Sequence, residues 1–389
     1  MRVMSSVSGV ADLPLHGGHV PTWLAKLMLK LSKAILEVLL IEFDSEEVLR
    51  RFSNPLWFQA FNNVIGMDWD SSGSTTVTTA MVKTALEEIS GEVRVAGGKG
   101  LISRKTPEEI IKYSDEIGLS SASSNELVKV SRLAAKTDSV LLQDGFTLYH
   151  HAVLFDKKGN WVVIQQGMNV DMKIARRYHL AWFMSRDPTL ESHSGVVSDI
   201  TTKPLNLTTS DSVASRKILV DLASENPKKI VNELKIVNTY LKGLKTLTGL
   251  KPPRPIMINI PYYRPVSIDS RILGKLNKAY ELRPKDLHEF LLIEGLGAEV
   301  IRALSLISEL IYREPPPLRD IVTHSYSPFK YAYAIGGKDG VPYPIKREVA
   351  ETVIRELSRL VDEAKLEGRE KLIALRALKK LAPEDVSNI

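Results

Sequence analysis

Between Leu141 and Leu180 polar side chains are set at close intervals into apolar sequence: Gln143 and Asp144, His150 and His151, Gln165 and Gln166, then Arg176, Arg177, Tyr178 and His179. These are groups that can hold a metal, pass a proton and steady a phosphate. Neighbouring residues on a strand point to opposite faces, so only one histidine of the pair can serve any one site. Buried amides must be hydrogen-bonded, so Gln165 and Gln166 mark the segment if its strands are covered. Asp144-Gly145 also reads as a plain turn.

A β-hairpin is the element that positions these groups. Thr147 to Phe155 alternates apolar and polar residues, the chain turns over Asp156-Lys157-Lys158-Gly159, and Trp161 to Ile164 resumes the strand pattern. Helical apolar spacing dominates elsewhere, as in Leu24, Leu27, Met28, Leu31, Ile35 and Leu39. The expected fold is therefore a helix-rich α+β protein, with a small antiparallel sheet around the central 146–166 hairpin and a C-terminal helical unit.

Three loops ahead of the hairpin carry further chemistry. His16-Gly17-Gly18-His19 lies between prolines, as a rigid loop that approaches a ligand or as a cap on the following helix. Asp68-Trp69-Asp70-Ser71-Ser72-Gly73 reads as a metal- or phosphate-binding loop, or as an ordinary helix entry. Gly97-Gly98-Lys99-Gly100, followed by Arg104 and Lys105, lacks P-loop spacing but offers unhindered amides and cations for phosphate oxygens. Thr106-Pro107-Glu108-Glu109 then opens a helix, with Glu109 completing a capping box.

Composition removes several classes. The chain of 389 residues contains no cysteine, which excludes disulfides, thiolate nucleophiles, iron–sulfur clusters and cysteine zinc sites. Eight histidines include no His-x-x-x-His pair, so a zincin-type enzyme is excluded as well. A net charge of +6 favours polyanionic partners. No apolar run approaches the ~20 residues of a membrane span, and no secretory signal is apparent; the expected location is the cytoplasm.

Residues 252–265, with five prolines among them, read as a connector between an N-terminal α/β catalytic domain (1–251) and a C-terminal helical domain (266–389). After the connector, Asp286 to Leu304 resembles a helix-hairpin-helix element, in which Gly295 and Gly297 expose amides at a helix start to a DNA phosphate. Glu299 stands where that element commonly has Lys or Arg. Asp320 lies near the position of the catalytic aspartate in glycosylases that carry the element. A second Gly-Gly-Lys loop, Gly336-Gly337-Lys338, is followed by the last helical stretch, which is suited to a protein partner or a second copy.

The outline of helix, Asp144, hairpin and helix resembles the PD-(D/E)xK nuclease core, with Gly167 where the lysine would stand. LPLHGGHVP, IGMDWDSSGSTT, GGKG with SRKTPEE, SRLAAKTD, QDGFTLYHH, WVVIQQGMN, ARRYH and GGKDGVPYP together resemble the archaeal and bacterial domain-of-unknown-function family 763 across nearly the whole chain. That resemblance implies that these loops belong together in one protein type, archaeal here.

The expected function is a metal-dependent DNA nuclease in repair or recombination. Asp144, Gln165 and Asp68 would hold Mg²⁺ or Mn²⁺, and His16 or His151 would handle a proton. Lys99, Arg104, Lys105, Arg176, Arg177 and Lys338 would steady phosphates, and Gly295 and Gly297 would dock the duplex. The alternatives are a glycosylase or lyase using Asp320 or Lys338, and a DNA-binding protein without catalysis.

Overall fold

The computed structural model describes residues 21–67, 73–89, 91–243, 252–257, 259–325 and 347–381. Four helices come first: α1 (Thr22–Glu42), α2 (Ser45–Ser53), α3 (Pro55–Val64) and α4 (Ser74–Glu88). The short ones start where the sequence supplies caps. Asp44 accepts the Glu47 N–H at 2.8 Å, and Asn54 accepts from Leu56 and Trp57 ahead of a helix with Pro55 in its first turn. Then come β1 (Val93–Lys99), α5 (Thr106–Glu116), α6 (Ser121–Lys136) and a π-helical turn, Thr137–Leu141.

Five strands make one antiparallel sheet in the order β1-β3-β4-β5-β6, with β3 (Thr147–Asp156), β4 (Trp161–Asn169), β5 (Ile174–Ala181) and β6 (His193–Val197). The expected hairpin is β3–β4, at the centre. A two-stranded ladder pairs β2 (Leu142–Gln143) with β7 (Leu205–Asn206). Seven helices follow: α7 (Val213–Ala223), α8 (Pro227–Leu241), α9 (Ser270–Leu282), α10 (Leu287–Leu292), α11 (Ala298–Leu310), α12 (Arg347–Glu363) and α13 (Gly368–Lys379). The chain is thus a helix-rich α+β protein. Among the described residues no helix is long and apolar enough to cross a membrane.

Two apolar clusters hold these elements. The first joins α1–α4 and the sheet to α12 and α13, through residues such as Leu31, Trp57, Phe61, Val163, Leu357 and Leu378. The second joins the end of α6 to α7–α11 around Phe290, Leu304 and Ile307. The helices of the expected 266–389 unit are thereby divided between the two cores, because an apolar stripe fixes that a helix is covered and not by which core.

The β1–α5 connection departs from expectation in one respect. Glu109 does not close a capping box; its carboxylate reaches back to the Gly97 N–H and to Lys83 Nζ, both at 2.7 Å. One amide of the glycine turn is therefore already satisfied. Gly97 has φ +92°, and a Cβ there would stand 2.3 Å from the His151 carbonyl oxygen, so only glycine lets β1 lie this close to β3.

Candidate functional site

The doublets on β3, β4 and β5 resolve into two polar layers, one on each face of a sheet that helices cover on both sides. His151 pairs across the strands with Gln165 and Tyr178, and Arg176 stands on the same face of β5; His150 pairs with Gln166 and Arg177, with His179 on that opposite face. All eight residues are buried.

On the first face an unbroken hydrogen-bond chain crosses the sheet. Ser131 Oγ on α6 meets His151 Nε2 at 2.8 Å, and His151 Nδ1 donates to Gln165 Oε1 at 2.8 Å. Gln165 Nε2 donates to Asp138 Oδ2 at 2.5 Å and to the Ala134 carbonyl. His193 Nε2 completes the chain at 2.7 Å from Asp138 Oδ1. Burial pushes the His151 imidazole down, so it is neutral in this chain. Asp138 is its centre, and sequence reasoning passed over it. Ser131 and Asp138 lie seven residues apart, two helical turns, within the apolar stripe of Leu127, Val130 and Ala134; that spacing was the available signal.

Beside this chain Arg176 clamps two carboxylates. Its Nη1 lies 2.9 Å from Asp144 Oδ2 and 3.0 Å from Asp320 Oδ1, and Nη2 lies 3.0 Å from Asp320 Oδ2 and from the Ile200 carbonyl. Asp144 also accepts from the Tyr178 hydroxyl at 2.7 Å and the Phe146 N–H at 3.1 Å. Burial raises the Asp144 carboxyl to about 6 despite the neighbouring guanidinium. Asp320 further accepts from Thr202 N–H and Oγ1, so its oxygens are engaged within the clamp.

Asp144 and Gln165 do not fit a magnesium site. Every oxygen they offer already has a protein donor, and Arg176 occupies the position where a dication would be repelled. Among the described residues no group of three His, Asp or Glu side chains could hold a metal ion. His16, Asp68 and Lys338 lie outside the described residues.

On the second face α3 and α4 cover the sheet with polar groups. The Arg177 guanidinium lies over the Phe58 ring, 4.7 Å from its centroid, with Gln59 Oε1 at 3.3 Å and Thr75 Oγ1 at 3.5 Å. Thr79 Oγ1 donates to the Thr75 carbonyl and so accepts from His150 Nε2 at 3.0 Å, which leaves His150 Nδ1 as a bare, unpartnered lone pair. His179 Nδ1 donates to the Phe52 carbonyl at 3.1 Å, and its Nε2 is likewise unpartnered. Burial lowers His150 to about 3 and holds His179 well below its ordinary value, so both rings are neutral. The neutral His179 imidazole thus holds an open lone pair close to the Arg177 guanidinium, with that of His150 two strands away on the same face. Gln59, Asn62 and Asn63 on α3 were missed; they form a polar stripe at helical spacing on a helix buried all round.

Residues 9–345 match the family model described as "Protein of unknown function (DUF763)". The chain belongs to that family. No curated protein and no solved structure matches it.

In this DUF763 chain the other expected residues gather at one end of the sheet. The registers bring the end of β1, the start of β3, the end of β4 and the start of β5 together there. Arg104 and Lys105 are exposed on the 3-10 turn after β1. The Gly295–Gly297 turn between α10 and α11 is joined to the same end: Gln143 Nε2 donates to the Ala298 carbonyl at 2.9 Å, and Asn169 Nδ2 to the Gly145 carbonyl at 3.1 Å. Gly295 has φ +79°. Lys136 Nζ reaches the Leu296 carbonyl at 2.5 Å, and the Lys275 stem packs against Gly295.

Proposed function

We propose that this chain binds DNA, with the turn at Gly295–Gly297 as its phosphate dock in the manner of a helix-hairpin-helix element. The observation that carries the reading is the charge balance around that turn. The two acidic residues on it are already matched, Glu294 by Lys278 at 3.0 Å and Glu299 by Arg302 at 2.8 Å. Lys136 on α6, which reaches the Leu296 carbonyl, and Lys275 on α9 are then surplus positive charge beside the start of α11, and Arg132 is exposed one turn before Lys136 on the same helix. A helix start with surplus cations favours a phosphodiester and reads no base. The test is duplex binding by fluorescence anisotropy across a salt series. The reading expects affinity that falls steeply with salt, and a shallower fall in Arg132→Gln/Lys275→Gln. Salt-insensitive binding, or none, refutes it.

A second reading, DNA cleavage by this chain, is favoured by the unpartnered lone pairs of His150 and His179 on the face of the sheet that carries Arg177. On this reading the proton is handled on the second face of the sheet, not at Asp144. Cleavage of labelled DNA that is lost in His150→Asn or His179→Asn, in variants that still fold, supports it. Cleavage unaffected by both substitutions removes those groups from the chemistry.

A further inference from the structure

The turn between β4 and β5, Asn169-Val170-Asp171-Met172-Lys173, alternates ordinary turn residues with two aliphatic ones. Such turns draw on Gly, Asn, Asp, Ser and Pro, yet Val170 and Met172 stand here 74% and 53% exposed. The turn is nevertheless held firmly. Asn169 Oδ1 accepts the Met172 N–H at 3.0 Å while its Nδ2 donates to Gly145, and Lys173 N–H closes on the Val170 carbonyl at 3.3 Å. Its side chain thus braces the turn against the neighbouring segment and presents two aliphatic groups outward. Lys173 completes the turn at φ 55° and is exposed. Leu101, 73% exposed, stands across β3 at the same end of the sheet, next to Arg104 and Lys105.

Position adds the second argument. Asn169 is bonded to Gly145 and Ala298 to Gln143, and two residues of extended chain cover at most ~7 Å. The apolar turn and the start of α11 therefore fall well within one helical turn of a bound duplex, about 34 Å. The turn's own charges, Asp171 and Lys173, cancel, and the surplus at this end of the sheet comes from Arg104 and Lys105; exposed aliphatic side chains with such a surplus and a phosphate dock nearby are the chemistry of a wedge that enters between base steps.

Resting on the DNA-binding reading above, we propose that Val170 and Met172 form a wedge that inserts into duplex DNA where stacking is already weakened, at a nick or a bulge. The occupant is DNA because the surplus charge is positive and lies beside a turn that offers backbone amides.

The experiment uses the full chain and three duplexes, intact, nicked and carrying a two-base bulge, each with 2-aminopurine at the centre. Anisotropy reports affinity, and 2-aminopurine fluorescence reports unstacking. The wild-type chain is expected to favour the nicked or bulged duplex by roughly tenfold, since the unstacking cost is lowest there, and to raise the fluorescence. Val170→Ser/Met172→Ser changes only exposed side chains; it should bind intact duplex within about twofold of wild type, as phosphate contacts carry that affinity, and lose both the preference and the fluorescence rise. Salt-sensitive duplex binding with no preference, or a preference that survives the double substitution, overturns the wedge and leaves the DNA-binding reading standing. No duplex binding at all overturns both. Binding to phosphatidylserine/phosphatidylcholine vesicles that is lost in the double variant, without DNA affinity, reassigns the turn to a lipid surface and also overturns the proposal.

Discussion

Replacing Arg176 with Met tests whether the first polar face is a clamp or a ligand site. Met keeps much of the side chain's volume and deletes the guanidinium. In the native protein that group is fully buried, donates to Asp144, Asp320 and the Ile200 carbonyl, and lies over the Phe146 ring, 4.5 Å from its centroid. Its loss leaves two carboxylates without their cation in a buried site. Breaking a buried pair in this way costs about 3–5 kcal/mol, which for a chain of this size lowers the melting temperature by about 4–6 °C.

The cost must also depend on pH. Asp144 already sits at about 6, above its unfolded value of 3.8, and Arg176 is the largest influence holding it down. Without the guanidinium it rises further. A carboxyl raised in the folded state adds stability below its unfolded value and loses it as pH climbs through the folded value. The variant's deficit is therefore smaller at pH 5 than at pH 8, by up to about 1.4 kcal/mol per pH unit for one proton. Urea unfolding at pH 5, 6.5 and 8 measures this, and adding Asp144→Asn to the variant should recover part of the loss at pH 8. A deficit below about 1 kcal/mol at all three pH values would refute the clamp and leave Arg176 available for a ligand.

The second face behaves oppositely in acid. His150, lowered to about 3, and His324, lowered to about 4 by burial and Arg177, are neutral when folded, and burial likewise holds His179 well below its ordinary value. Their contribution is complete above the unfolded value of 6.5 and is lost as pH falls toward the folded values, so unfolding free energy should drop by more than 1.4 kcal/mol per pH unit between about 6 and 4. His150→Gln should flatten that slope in urea titrations; an unchanged slope removes His150 from the account. Gly97→Ala forces a Cβ against the His151 carbonyl at φ +92° and should cost about 2 kcal/mol or more by thermal melting. A stability equal to wild type would mean that β1 can shift away from β3.

Much of this was legible from residue pairs. The alternation from Thr147 to Phe155 and the Lys158-Gly159 turn define the central hairpin, and the doublets His150-His151, Gln165-Gln166 and Arg176-Arg177 place one polar group on each face of any strand that carries them. What the pattern lacked was the cover. With one face in solvent, half of these groups would be hydrated; with helices on both faces, every one must find a protein partner or stand unpartnered. That difference turns Asp144 and Gln165 from open ligands into closed bonds, and makes Asp138 the centre of a chain. Asp138 was hard to read because it falls on a π-helical turn, where a widened helix shifts the facing of side chains relative to the 3.6-residue period. Asp320 lies 144 residues from Arg176 in the chain, and no local spacing connects them.

The most direct test of the account is the salt dependence of DNA binding by the wild-type chain and by Arg132→Gln/Lys275→Gln, of which Lys275 lies against Gly295 and Arg132 is exposed one helical turn before Lys136. The account predicts a linear fall of log K with log salt in the wild type, and a slope smaller by about 1 for each phosphate contact removed, with the loss of affinity uniform across sequences. Equal affinity and equal slope in the two proteins would contradict it, and would move any nucleic-acid contact away from the start of α11.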